Sequence, residues 1–233
     1  MMISIENILE FEKLYRTNFV NSLPGFKSAN LIGTISAEGK SNLAIFSSVI
    51  QVGANPPLMG LLMRPVSVET HTYTNIKETG YFTINHINKE IFKQAHQTSA
   101  RYDKDVSEFD GCGLTPEYSE KIKAPYVKES KIKIGLKFVE EHKIKTNGTI
   151  FIVGEILEII LPDEMVSELR TELSRLTGVQ DHLLALCELQ GHYIFRALSP
   201  STRLRAVHAT APLCAFQVTS PSSRNRNADD PVY

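Results

Sequence analysis

Apolar and polar positions change rhythm several times along the chain, and each change marks an element. Between residues 3 and 20, Ile5, Ile8, Leu9, Glu12, Leu14, Tyr15 and Phe19 fall at loosely helical intervals, and NSLPG (Asn21 to Gly25) stops them with Pro and Gly. Leu31 to Ile35 then reads as a strand, Glu38-Gly39-Lys40 as a turn and Asn42 to Val52 as the returning strand. Asn55-Pro56-Pro57 is a hard turn into PLMGLLMR, a third strand apolar on both faces and therefore expected to be central. Tyr73, Ile76 and Lys77 resume helical spacing with Gly80 as the C-cap, and Tyr81 to Ile87 is rich in β-formers. Residues 90–125 are looser, with a short helical piece from Phe92 to Thr98 and then the turns of SEFDGCGLTPEY. Lys131 to Ile144 alternates as a half-buried strand does, TNG at 146–148 signals a hairpin, and TIFIVGEILEIIL is its return. PDEMVSELRTELSRL, with Pro and acids at its start and one apolar face, predicts a helix. Six or so strands with few long helices make this a mainly β protein, a barrel or sandwich rather than a βαβ fold.

Composition narrows the setting. The 233 residues suffice for one sizeable domain or two small ones, and 42% hydrophobic with 22% charged residues is the balance of an ordinary soluble globular protein. A net charge of -1 gives no global field to attract nucleic acid or an anionic membrane. No apolar run approaches the roughly 20 residues that cross a bilayer, and the acids of MMISIENILEFEKLYR exclude a secretory signal there, so a cytoplasmic protein is expected. Cys112, Cys187 and Cys214 are far apart, without CxxC, and HExxH is absent, so neither a disulfide framework nor a metal site is expected. TSPSSRNRNADDPVY lacks any periodicity, and the expectation is one domain over residues 1–205 with a disordered tail at 206–233.

Candidate chemistry gathers where strands end. Strand termini offer unpaired backbone N–H groups, and hydroxyls with an arginine beside them suit a phosphate or another planar array of acceptors. Ser47, Ser48 and Arg64 stand at such ends, and His71, Thr72 and Asn75 can complete an anion pocket at a helix N-terminus. Each also has a plainer reading: strand-end punctuation for the serines, a solvated cation for Arg64, and a cap and a surface polar group for Thr72 and Asn75. Their order along one hairpin–strand–helix unit favours the pocket. GxGxxG, GxxxxGK[ST] and GxSxG are absent, so neither a dinucleotide fold, a P-loop nor a nucleophile elbow is encoded. Glu140-Glu141 and Asp163-Glu164 read as solvated positions rather than as a catalytic pair.

Several ordered segments carry a resemblance. GFKSANLIGTISAEGKSNLAIFSSVIQVGANPPLMGLLMRP, HTYTNIKETGYFTINHI, SEFDGCGLTPEY and APYVKESKIKIGLKF together resemble the flavin reductase-like family of FMN-binding split barrels, over about residues 15 to 165. The resemblance implies a six-stranded antiparallel split β-barrel with flanking helices, a homodimer, and one FMN per subunit near the interface. It implies that Asn42, Ala44, Ile45, Phe46, Ser47 and Ser48 line the isoalloxazine and ribityl chain, that Met63 and Arg64 follow, and that His71, Thr72 and Asn75 hold the phosphate. Lys27 is a weaker candidate for the flavin edge, and Ser99 and Phe109 for closing the pocket. It further implies hydride transfer from NADH or NADPH through FMN to free flavin, a ferric chelate or a partner oxygenase. An FMN-binding electron carrier without its own NAD(P)H reductase activity fits the same pocket. The C-terminal part departs from the family, with Gly191-His192-Tyr193 and Arg203-Leu204 as loose counterparts of its closing segment.

Overall fold

The alternating stretch after Gly25 forms a hairpin, as its pattern predicts, and the hairpin's register divides everything that follows. The computed structural model describes residues 2–25, 27–65, 70–100, 102 and 106–167. Two helices come first, α1 (Ile5–Glu10), capped by Ser4, and α2 (Lys13–Ser22), capped by Glu12. Strand β1 (Asn30–Ile35) pairs antiparallel with β2 (Ser41–Phe46), placing Ile32 opposite Ala44 and Thr34 opposite Asn42. Side chains leave a strand on alternate faces. Asn42, Ala44 and Phe46 therefore share one face with Ile32 and Thr34, while Leu43 and Ile45 share the other with Leu31.

The returning strand does not run on to Val52. It breaks at Ser47-Ser48 and resumes as β3 (Val49–Ala54), which pairs with β4 (Pro57–Met63) instead of β1. Helix α3 (His71–Thr79) follows, ended by Gly80 at φ 74°, the left-handed conformation that glycine adopts without a Cβ penalty. Strand β5 (Tyr81–His86), helix α4 (Phe92–Gln97) and helix α5 (Glu108–Cys112) come next, the last where the sequence pattern suggested only turns. The short strands β6 (Pro116–Glu117) and β7 (Tyr126–Val127) pair with each other. The long hairpin β8 (Lys133–Lys143) and β9 (Ile150–Ile160) forms as expected, and a helix begins at residue 163. The remainder of that expected helix and the 206–233 tail lie outside the described residues.

Strand order in the main sheet is β2-β1-β5-β8-β9-β4-β3, with every pair antiparallel. Strands β2 and β3 thus occupy opposite edges of the sheet, yet only Ser47 and Ser48 separate them in the chain. The sheet must curl until its two edges meet at that corner, the geometry of a split barrel. Seven strands appear rather than six because one expected strand changes partner midway, and no ladder closes β2 onto β3. β4 lies beside the edge strand rather than at the centre, with Met59, Leu61 and Met63 facing the core and Leu62 turned outward.

Two cores follow from the two faces of the β1–β2 hairpin. Ile32, Leu61, Met63, Ile76, Phe82, Ile84, Leu136 and Ile152 fill the sheet's inner side beneath α3. Leu31, Leu43, Ile91, Ala95, Phe109 and Leu114 pack on the other face, under α4 and α5. Helix α3 carries three threonines, β-branched and poor helix formers. Burial of Ile76, worth about 1.5–3 kcal/mol, does more to hold it than its own propensity. Tyr73 adds a brace, its hydroxyl donating to both Glu141 oxygens at 3.2 and 3.1 Å, and Lys77 pairs with the same carboxylate at 3.3 Å. Burial, and then that carboxylate, push the Tyr73 phenol above its ordinary range.

Candidate functional site

Strand β2 is the spine of the site, and each of its ends is fastened to a different element. At the corner, Ser48 Oγ donates to the Leu62 carbonyl at 2.7 Å, and the Ser48 carbonyl accepts the Leu62 N–H at 3.3 Å. The end of β4 is therefore held against Ser48, and Arg64 leaves the sheet two residues further on. Arg64 is exposed, and among the described residues it has no ion-pair partner. Met63 is buried in the main core, so its side chain supports this end rather than facing a ligand.

At the other end Asn42 Nδ2 donates to Thr34 Oγ1 at 3.2 Å and to Thr72 Oγ1 at 3.1 Å, and Asn75 Nδ2 donates to Thr34 Oγ1 at 3.1 Å. The fold thus brings Asn42, Thr72 and Asn75 together, all three buried, with both amide nitrogens spent inward. The first turn of α3 stands beside this cluster. Its N-cap, Thr70, makes no side-chain capping bond, and the enclosed Thr70 hydroxyl has no hydrogen-bond partner among the described residues. No acid lies in that turn, and His71, its first residue, is exposed. A helix N-terminus gathers unpaired N–H groups and about half a positive charge. Unfilled by its own cap, this one suits a phosphate.

Between the two ends, Ala44 and Phe46 stand half-buried on the same face as Asn42. The outer edge of β2 is capped for part of its length: Ser107 Oγ donates to the Ser41 carbonyl at 3.2 Å, and Glu108 accepts the Leu43 N–H at 3.1 Å. Since Leu43 points its backbone away from β1, Ile45, two residues on, does likewise. Its N–H and C=O are left at an open edge among the described residues, where a planar heterocycle can take both. The Ile45 side chain turns to the second core, and Ser47 is exposed at the corner.

The remaining expected residues sit elsewhere. Lys27 is exposed, three residues before Asn30, which faces Phe46. Ser99 donates its hydroxyl to the His96 carbonyl at 2.7 Å. Phe109 is only 1% exposed inside the second core, where it anchors α5 instead of closing a pocket. A separate depression of about 400 Å³, lined by Ile35, Ser36, Gly39, Glu78, Thr79 and Lys123, lies at the opposite end of α3. Sequence reasoning missed Thr34, Thr70, Ser107 and Glu108. Thr70 and Ser107 each stand directly before a helix, a legible capping signal, whereas Thr34 looks like any strand threonine. Among the described residues no cluster of three or more His, Cys, Asp or Glu side chains could hold a metal ion, and no helix is long and apolar enough to cross a membrane.

A spine of edge backbone with an anion-ready helix end at one side and an arginine at the other is what an elongated phosphorylated heterocycle requires. Comparison with known proteins points the same way. The chain belongs to the family of the flavin reductase like domain, whose model matches residues 25–174. It is similar to a Shewanella frigidimarina protein assigned as a flavin reductase with split barrel domain, at 55% identity and TM-score 0.67, covering 70% of this chain and 81% of that one. It is also similar to the flavoredoxin of Desulfovibrio vulgaris, at 26% identity and TM-score 0.52, covering 59% of this chain and 71% of that one. An uncharacterised protein of Aquifex aeolicus is 32% identical over 139 residues, 59% of this chain and 70% of the relative.

Proposed function

We propose that the chain is an FMN-dependent oxidoreductase that takes hydride from NADH or NADPH and passes electrons to free flavin, a ferric chelate or a partner oxygenase. The observation that carries this reading is the single strand β2, tied at one end to the uncapped N-terminus of α3 and at the other to the Arg64 corner. The enclosed Thr70 hydroxyl, without a hydrogen-bond partner among the described residues, is one that a phosphate oxygen would satisfy. Thr70 and the first-turn N–H groups, with His71, would hold the phosphate, and Arg64 would add charge at the corner. The Ile45 backbone would orient the ring edge, with Ala44 and Phe46 beneath it. Asn42, Thr72 and Asn75 would fix the helix against the strand while presenting their remaining polar atoms to the ribityl chain.

When bound, FMN supplies the redox chemistry, so the chain itself needs no nucleophile or metal. Its own part is to position, to exclude water through the apolar faces of Ala44 and Phe46, and to place N–H donors where negative charge grows on reduction. Two copies are read as pairing, because Ile50, Val52 and Leu62 form an apolar outer surface beside the corner, 53%, 42% and 41% exposed. An electron carrier without NAD(P)H activity is the second reading, favoured by the likeness to a flavoredoxin.

Anaerobic absorption of the purified protein with FMN, before and after NADH and NADPH, separates these readings. A flavin band that bleaches with either nucleotide is expected. A bound flavin left oxidised by both nucleotides selects the carrier, and failure to retain flavin overturns the pocket.

A further inference from the structure

We propose that Thr34 is a positioning residue that fixes the spacing between the phosphate end and the ring end of the site, an inference that rests on the FMN reading above. Thr34 is completely buried, at 0% exposure, near the end of β1, where Ile32 on the same face is core. A hydroxyl there must find partners or cost stability. Its partners are two amides from different elements, Asn42 on β2 at 3.2 Å and Asn75 on α3 at 3.1 Å. Asn42 continues the chain to Thr72 at 3.1 Å, one residue into the first turn of α3. One oxygen therefore sets where the helix N-terminus stands relative to the strand. Neither Asn42 nor Asn75 can shift without losing a bond to the same atom, so the two ends of the ligand are held to one ruler.

The prediction concerns the phosphate rather than overall affinity. Riboflavin keeps the ring and the ribityl chain but lacks the phosphate, so it does not engage the first-turn N–H groups of α3, whereas FMN must reach from the ring end to that helix N-terminus. Thr34→Val keeps the shape and removes the acceptor. Two amide bonds are lost together, so FMN affinity should fall about tenfold or more while riboflavin affinity changes less than about threefold. Thr34→Ser, which keeps the hydroxyl, should restore the wild-type ratio of the two affinities. Thr34→Cys, with a weakly accepting thiol of similar size, gives the same comparison if valine prevents folding.

Both dissociation constants are read from flavin fluorescence quenching, with the parent and Arg64→Ala alongside. An FMN affinity within about twofold of the parent in Thr34→Val, or equal losses for FMN and riboflavin, would overturn the positioning role, the second outcome marking a general packing effect. If the parent and Arg64→Ala both fail to bind FMN, the FMN reading itself falls and this inference with it. Should the parent bind FMN and Thr34→Val match it, only the positioning role is lost.

Discussion

Arg64 illustrates how one side chain can be read from the sequence once its neighbours are known. It lies two residues beyond the Ser48–Leu62 fastening, exposed and without an ion-pair partner among the described residues. A hydrogen bond from a charged side chain is worth about 1.5–3 kcal/mol, so if Arg64 donates to the flavin at the corner, Arg64→Ala should weaken FMN binding roughly 10- to 100-fold by fluorescence titration. An unchanged dissociation constant would remove Arg64 from the site. Glu129 behaves differently, because its value lies in the fold. Burial raises its carboxyl pKa, but hydrogen bonds from Thr115, whose N–H reaches both oxygens at 3.1 and 3.2 Å, outweigh this and leave it below the usual 4.5. A carboxyl whose pKa drops on folding lends stability that is complete above its unfolded value and is lost as pH falls through the folded one. Stability below pH 4.5 should therefore fall less steeply in Glu129→Gln than in the parent, measured by urea unfolding at a series of acid pH values. An identical slope would show that Glu129 carries none of it. Arg64 and Ser48 were legible as candidates because charge and hydroxyls at strand ends are unusual. Thr34 was not: its amide partners lie 8 and 41 residues away, and no local spacing reports a contact at that range.

At the scale of elements, the chain's alternation located nearly every strand but did not reveal which strands share a ladder. The apolar rhythm from Asn42 to Val52 passes almost unbroken through Ser47-Ser48, so it reads as one strand. Only the nonlocal pairing of β3 with β4 splits it. Close approaches between elements were equally hidden. A Cβ on Gly33 would lie 2.1 Å from the Pro125 carbonyl oxygen and 2.5 Å from Thr83 Oγ1. That carbonyl cannot yield, since Thr83 already donates to it at 2.7 Å. Gly33→Ala should cost about 1–3 kcal/mol of strain and lower the melting temperature by roughly 2–12 °C. A melting temperature equal to the parent's would show that the 114–127 loop moves aside freely.

For the whole molecule, the outward face of β3 and β4 is the surface to test. Ile50 and Leu62 stand on it beside the corner that carries Arg64, so pairing there would complete the site and association together. If the chain pairs through this face, the parent should sediment as a dimer and Leu62→Glu, which would place an unpaired charge in the contact, as a monomer in sedimentation velocity. A parent that sediments as a monomer would exclude this face as a self-contact. The corner itself has a further consequence, in time rather than space. Three ladders of the sheet, β1–β2, β3–β4 and β8–β9, are local hairpins, but β1–β5, β5–β8 and β4–β9 join distant segments, Leu58 with Glu155 among them. Such long closures make folding slow, in the range of about milliseconds to seconds. β2 and β3 stand at opposite edges of one sheet only after all three have formed. Although the contact of Ser48 with Leu62 extends the local β3–β4 hairpin and can form with it, the candidate site needs β2, α3 and the end of β4 together, and so cannot exist before the sheet is nearly complete.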